Sequence, residues 1–314
     1  MSRKLFFVLL TLAFLLVACS PASTPQPAPL VTEVATSAPI TLSDGLGRTV
    51  TLNGPAQRIV SLAPSNTEIL FAVGAGTQVA GRDESSDYPD ETLSLPTVGG
   101  WSGFSTESIV ALQPDLVLAG GINTPELVAS LESLGLRVYF LPNPATIEEM
   151  YANLETVGLL TGHEAETAAL VEALKVRVAA VDEKIAAVTE RPSVYYELDA
   201  TDPTKPYTAG PGSFVDLLIQ RAGGANVGAQ LQGQWVQISL EELLILDPDM
   251  ILLGDSLYGE TPEKVAARPG WEVLSAVQDG RIYPFDDTLV SRPGPRLVDA
   301  LEAMARFLHP GLFE

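Results

Sequence analysis

Two tryptophan–glutamate pairs are the residues in this chain whose type and spacing point most directly to chemistry. Trp101 precedes Glu107 by six residues, Trp235 precedes Glu241 by the same six, and each pair runs on into Pro-Asp (Pro114-Asp115 and Pro248-Asp249). Residues 101–121 and 235–255 align without a gap at an offset of 134, with eight of 21 positions identical. A self-match of this kind marks a duplicated structural unit. Both indoles lie among Gly, Ser and Gln rather than in an apolar run, which suits a loop facing a cleft. A carboxylate at the second position of a helix meets the positive end of the helix dipole, an effect of about 0.3–1 kcal/mol. Its recurrence in both copies predicts a shared binding role instead of two unrelated helix starts. Glu242 already completes a capping box with Ser239, which leaves Glu241 free for an outside partner.

Other chemistries are poorly supplied. One cysteine and two histidines (Cys19, His163, His309) exclude a disulfide framework and a thiolate zinc site, and leave little for a transition-metal centre or a catalytic triad. The formal charge of −21 opposes nucleic-acid binding. Gly74-Ala-Gly76-Thr-Gln-Val79 lacks a third glycine and follows a helix, so it fails as a dinucleotide loop. Gly210-Pro-Gly-Ser213 is not a nucleophile elbow, and Ser213 is expected to cap a helix beginning at Phe214. His163 and His309 read as surface residues, and an enzyme, here a secreted one, is the weakest of the functional readings.

Elements must position the two pairs. At 46% hydrophobic and 18% charged residues the chain is globular, and 314 residues suit two domains. Residues 1–18 read as a signal peptide: Arg3 and Lys4 precede an apolar run too short to span a membrane, and Leu16-Val17-Ala18-Cys19 resembles a bacterial lipobox with Cys19 as the lipidated residue. Residues 19–39, with five prolines and a single charge, read as a disordered tether. Ile40–Leu52 reads as a hairpin around Asp44-Gly45-Leu46-Gly47, Arg58–Leu62 as a buried strand, and the following helix as one capped by Ser65 with Glu68 and ending at Gly74. The longest helical stretch runs from His163 to Glu190, with Thr161 and Glu164 as its capping box and an apolar stripe of Ala168, Val171, Leu174, Val178, Val181 and Ile185. These patterns predict an α/β fold of two Rossmann-like lobes with central, mainly parallel sheets, residues 40–160 and 192–314, joined by one long rigid α-helix over 161–191.

The order RIVSLAPSNTEILFAVG, SDYP, VGGW, STESIVALQPDLVLAGG, long helix and second lobe resembles the substrate-binding lipoproteins of ABC importers, in the helical-backbone class that delivers corrinoids, ferric siderophores, haem or metal ions. The resemblance covers nearly the whole chain after Ile40. It implies a monomeric, lipid-anchored protein outside the cytoplasm, with ligand held between the lobes and no cofactor of its own. It implies that Glu107 and Glu241 dock on an ABC permease dimer. On the same grounds Trp101 matches a ligand-stacking residue of corrinoid binders, Tyr207 and Trp235 are candidate walls, and Asp287 and Arg292 fall in a late loop lining the cleft. Ser85, Leu289 and Val290 stand where corrinoid binders often carry aromatics. Cobalamin or a related corrinoid is one implied ligand, and Arg82 with Arg292 could instead hold an anionic ferric siderophore. Haem would need an axial Tyr or His, and the sequence aims neither at the cleft. A bare metal ion lacks its usual His and carboxylate cluster.

Overall fold

Asp44 pins the start of the fold. Its Oδ1 accepts the backbone N–H groups of Leu46 and Arg48, each at 3.0 Å, which closes the turn between strands β1 (Ile40–Ser43) and β2 (Thr49–Leu52). The computed structural model describes residues 38–313, so the signal segment, Cys19 and all but the last two tether residues lie outside the described residues. After the hairpin come β3 (Ile59–Ser61), α1 (Pro64–Ala72) and β4 (Val79–Gly81), then a two-residue-per-arm hairpin of β5 (Gly99–Gly100) and β6 (Gly103–Phe104). There follow α2 (Thr106–Ala111), β7 (Leu116–Ala119), α3 (Pro125–Ser133), β8 (Val138–Phe140) and α4 (Ile147–Thr161). The short strands β3, β7 and β8 are buried at every position, as strands covered on both faces must be. They form a parallel sheet in the order β4-β3-β7-β8.

Helix α5 (Glu164–Ile185) then carries the chain to a second sheet. The second lobe contains β9 (Ser193–Asp199), β10 (Tyr207–Ala209), α6 (Phe214–Arg221), β11 (Ala225–Asn226), β12 (Trp235–Gln237), α7 (Leu240–Leu246) and β13 (Met250–Leu253). It ends with α8 (Pro262–Ala266), α9 (Ser275–Gln278), β14 (Ile282–Pro284), α10 (Thr288–Ser291) and α11 (Leu297–Leu308). Its sheet runs β12-β10-β9-β13-β14, parallel from β9 through β14 and antiparallel at β10 and β12, with β11 beside the start of β9. The result is the expected α/β fold with two parallel-rich sheets. Tyr207 opens β10, which runs antiparallel to β9. Trp235, expected in a loop, begins an antiparallel edge strand paired Trp235 with Ala209.

The duplicated segment explains itself in both lobes. Ser105 and Ser239 each accept the N–H three residues on at 3.1 Å, capping α2 and α7. The repeated Asp works at the foot of the sheet. Asp115 accepts the N–H groups of Gln57 and Arg58 at 2.8 and 2.9 Å, and Asp249 accepts the N–H and hydroxyl of Ser193 at 2.7 Å each. Each therefore ties the start of one parallel strand to its neighbour. The repeated glycine sits at the other end, where a Cβ on Gly254 would come within 2.7–2.8 Å of Tyr196 and the carbonyl of Glu197.

Four local expectations are corrected. Thr161 does not cap α5: Gly162, at φ +78°, ends α4, and the Thr161 hydroxyl donates back to the Val157 carbonyl at 2.7 Å. The N-cap of α5 is His163, and the helix is 22 residues, about 33 Å, shorter than the 163–190 stretch. Ala168 faces solvent and Thr167 takes its place in the buried stripe, lying where a Cβ on Gly158 would fall, so that α4 and α5 pack closely. At α1, Pro64 occupies the first turn and Ala63 the cap position, so Ser65 and Glu68 form no capping box.

One apolar cluster runs from Leu70 and Leu154 in the first lobe, through Val171, Leu174 and Val178 of α5, to Val298 and Leu301 in the second. Helix α5 packs against both α4 and α11, and the described residues fall in a single compact unit. The histidines are half-buried and held: His163 Nε2 lies 3.2 Å from Gln78 Oε1, and His309 Nε2 lies 3.2 Å from the Gly223 carbonyl.

Candidate functional site

The carboxyl ends of β3, β4, β7 and β8 open into a cavity of about 530 Å³. This is where ligands bind in open parallel sheets, because strand ends leave a crevice that connecting loops line. Trp101 in the turn between β5 and β6, with Phe104, Ile122 and Leu127, supplies an apolar wall, and Ser65, Ser85 and Asn143 supply polar atoms. Trp101 is 95% exposed, so its indole has no protein partner to lose when a ligand arrives. Gly121 lies close under the end of the Asn143 side chain, where a Cβ would come within 2.5 Å of it.

A second cavity of about 340 Å³ lies on the other lobe, lined by Tyr207, Trp235, Asp287 and Val290. Ser291 lines both cavities, so they adjoin at the late loop, and Ser291, Arg292 and Pro293 of the second lobe close the first cavity. Tyr207 is 42% and Trp235 53% exposed. Asp287 accepts the Tyr196 hydroxyl at 2.8 Å, and burial pushes its carboxyl up despite that hydrogen bond. Burial does the same to Asp83, whose carboxylate accepts the Ser85 N–H at 2.9 Å and the Ser86 hydroxyl. Walls of this kind suit a large ligand with an extended flat face and a hydrogen-bonding rim, since known ligand pockets run to about 300–1,000 Å³. Among the described residues no group of three or more His, Cys, Asp or Glu is placed to hold a bare metal ion.

The two arginines depart from expectation. Arg82 is buried away from the cleft, with Nε donating to the Thr92 carbonyl at 2.8 Å and Nη1 to the carbonyls of Asp83 and Glu84 at 2.9 and 3.3 Å. Its role is to hold the 83–92 loop in shape, and it cannot also grip a ligand. Arg292 does line the main cavity, but Nη1 meets Glu68 and Asp87, and Nη2 donates to the Ser85 carbonyl at 3.2 Å. The cleft residues missed from sequence, Ile122, Asn123 and Asn143, follow β7 and β8. The Gly-Gly-Ile-Asn stretch directly after a buried strand was the signal that could have found the first two.

Glu107 and Glu241 stand exposed in the first turns of α2 and α7, without a salt bridge among the described residues.

A model of the periplasmic binding protein family matches residues 59–289. The chain belongs to that family. As a periplasmic binding protein it is a substrate-binding transport protein and not an enzyme. It is 32% identical to the ABC transporter substrate-binding lipoprotein YvrC of Bacillus subtilis over 281 residues, covering 88% of this chain and 87% of the relative. It is 30% identical to a cobalamin-binding protein of Halobacterium salinarum, covering 96% and 83%. Among solved structures it resembles the periplasmic haem-binding protein RhuT of Roseiflexus sp. RS-1 in apo form, with a TM-score of 0.73 and 28% identity over 82% of this chain and 99% of that one. It also resembles the vitamin B12-binding protein BtuF of Vibrio cholerae, with a TM-score of 0.70 and 27% identity over 83% and 99%. No helix among the described residues of this periplasmic binding protein is long and apolar enough to cross a membrane.

Proposed function

We propose that this protein is the lipid-anchored substrate-binding component of an ABC importer, and that it captures cobalamin or a closely related corrinoid in the cleft between its lobes. The observation that carries this reading is the state of the arginines. An anionic cargo, whether a ferric tricatecholate, ferric citrate or haem with its propionates, needs cationic partners inside the cleft. Arg82 is spent on three carbonyls and Arg292 on two carboxylates, while Asp83, Asp199 and Asp287 line the same walls. A corrinoid holds its own metal and presents an amide-bearing rim, so it asks the protein for apolar faces and neutral hydrogen-bonding groups. Trp101, Trp235 and Tyr207 are suited to the first task, Ser65, Ser85 and Asn143 to the second. The cobalamin-binding relative at 30% identity supports the same cargo. In this reading Glu107 and Glu241 dock on the permease and Cys19 carries the lipid.

Titration of the intrinsic tryptophan fluorescence with cyanocobalamin, haemin, a ferric trihydroxamate and a ferric tricatecholate tests the proposal. Cyanocobalamin should quench and saturate, and Trp101→Ala should weaken its binding by about tenfold, the scale of one lost aromatic stacking contact. Saturable binding of any of the other three without binding of cyanocobalamin would overturn it.

A further inference from the structure

Four charged side chains meet where the two lobes touch at the floor of the cleft. Glu68 of α1 is 2% exposed and receives two arginines from the second lobe: Arg296 Nε at 2.8 Å together with its Nη2, and Arg292 Nη1 at 3.2 Å. Asp87, in the first lobe and 60% exposed, takes the same Nη1 of Arg292. Arg292 Nη2 donates to the Ser85 carbonyl and Arg296 Nη1 to the Thr288 hydroxyl, each at 3.2 Å. Tyr88 covers the Arg296 guanidinium with its ring 4.3 Å away. Two positive and two negative charges therefore cancel within one cluster. The neighbouring pair of acids on α11, Asp299 and Glu302, is occupied separately by Arg177.

Arg292 is also the one cation among the described residues lining the main cavity. Its position gives the cluster a second effect besides holding the lobes. We propose that Glu68 and Asp87 are specificity-determining residues, which neutralise Arg292 at the cavity floor and thereby withhold it from anionic cargo. Neither carboxylate lines the cavity itself, so neither need touch the ligand. The mechanism is exclusion: a charged ligand finds no net positive field, while a neutral one loses nothing. The Arg292 hydrogen bond holds the Asp87 carboxyl below its usual range, in keeping with an ionised pair at neutral pH.

The inference rests on the cleft being the cargo site, and not on the cargo being a corrinoid. Removing one acid leaves the cluster with one net positive charge. Asp87→Asn is the milder change, because Glu68 still holds both arginines and the lobes stay bridged. In the full-length protein, Asp87→Asn should raise affinity for a ferric tricatecholate and for haemin by about tenfold at low salt and leave cyanocobalamin within about twofold. Adding Arg292→Gln to Asp87→Asn should abolish the gain. Glu68→Gln, with its melting temperature measured alongside, should give the same selective gain. No gain for either anion with Asp87→Asn, or an equal change for every probe, would overturn the proposal, the second outcome assigning the cluster a purely structural role. The two readings fail separately. Wild-type protein that binds the tricatecholate and ignores cyanocobalamin sinks the corrinoid reading, while the Asp87→Asn comparison still decides this one.

Discussion

Asp255 shows how far one residue's surroundings can move its chemistry. It lies just past the carboxyl end of β13, buried, with Oδ1 lacking any hydrogen-bond partner. Burial, then repulsion from the fully buried Glu197, raises its pKa to about 7, and Arg268 only partly counters them. Arg268 is committed elsewhere, donating to both oxygens of Glu197 at 2.6 and 2.8 Å and to Glu260 at 2.9 Å. Between the ordinary value of 3.8 and about 7, the folded protein keeps a proton on Asp255 that the unfolded chain has released. Stability from this group is therefore fully present below 3.8 and declines as pH rises to about 7, with no further change above. Thermal melts at pH 5 and pH 8 should show the wild type losing stability across the interval and Asp255→Asn losing distinctly less. Equal losses in both would refute the assignment. Nothing in the local sequence Leu253-Gly-Asp-Ser hints at this, because Glu197 and Arg268 reach the site from other elements. The tryptophans of the cleft are the contrasting case: Gly and Ser neighbours already set Trp101 apart from a core aromatic, and its indole is indeed bare.

Among the elements, the duplicated helix starts were legible because their chemistry is local. A serine whose hydroxyl accepts the N–H three residues on specifies the caps of α2 and α7 within four positions. The same logic failed at α1 and α5. Pro64 shifted one cap, Gly162 closed the preceding helix before the other, and in each case a neighbouring residue outranked the motif. With the caps made by serine side chains, Glu107 and Glu241 add at most the dipole contribution of about 0.3–1 kcal/mol each to folding. Replacing both with Ala should leave ligand titrations unchanged and abolish uptake in vesicles reconstituted with the permease. Retained uptake would reduce both residues to helix-start carboxylates.

At the scale of the molecule, the connecting helix shares one continuous apolar cluster with both lobes, and the Glu68–Arg292–Arg296 bridge joins them again at the cleft floor. Large hinge closure would have to break both. Distances between spin labels, one on α3 and one on α8, should therefore change by only a few ångström when ligand is added, and a shift of about 10 Å or more would show a flexible hinge instead. Composition, the 134-residue repeat and the caps by themselves determined the α/β class, the two-sheet plan and the exposed glutamate on each helix, since all of these follow from periodicities and contacts a few residues long. Only the tertiary structure decided what the arginines do. Arg82 and Arg292 look identical in the sequence as free cations for an anionic ligand. One is held by carbonyls within ten residues of it, the other by carboxylates more than 200 residues away. Whether a charge is available to a ligand depends on which partners the fold brings within about 3 Å of it, and that distance is not written in the spacing along the chain.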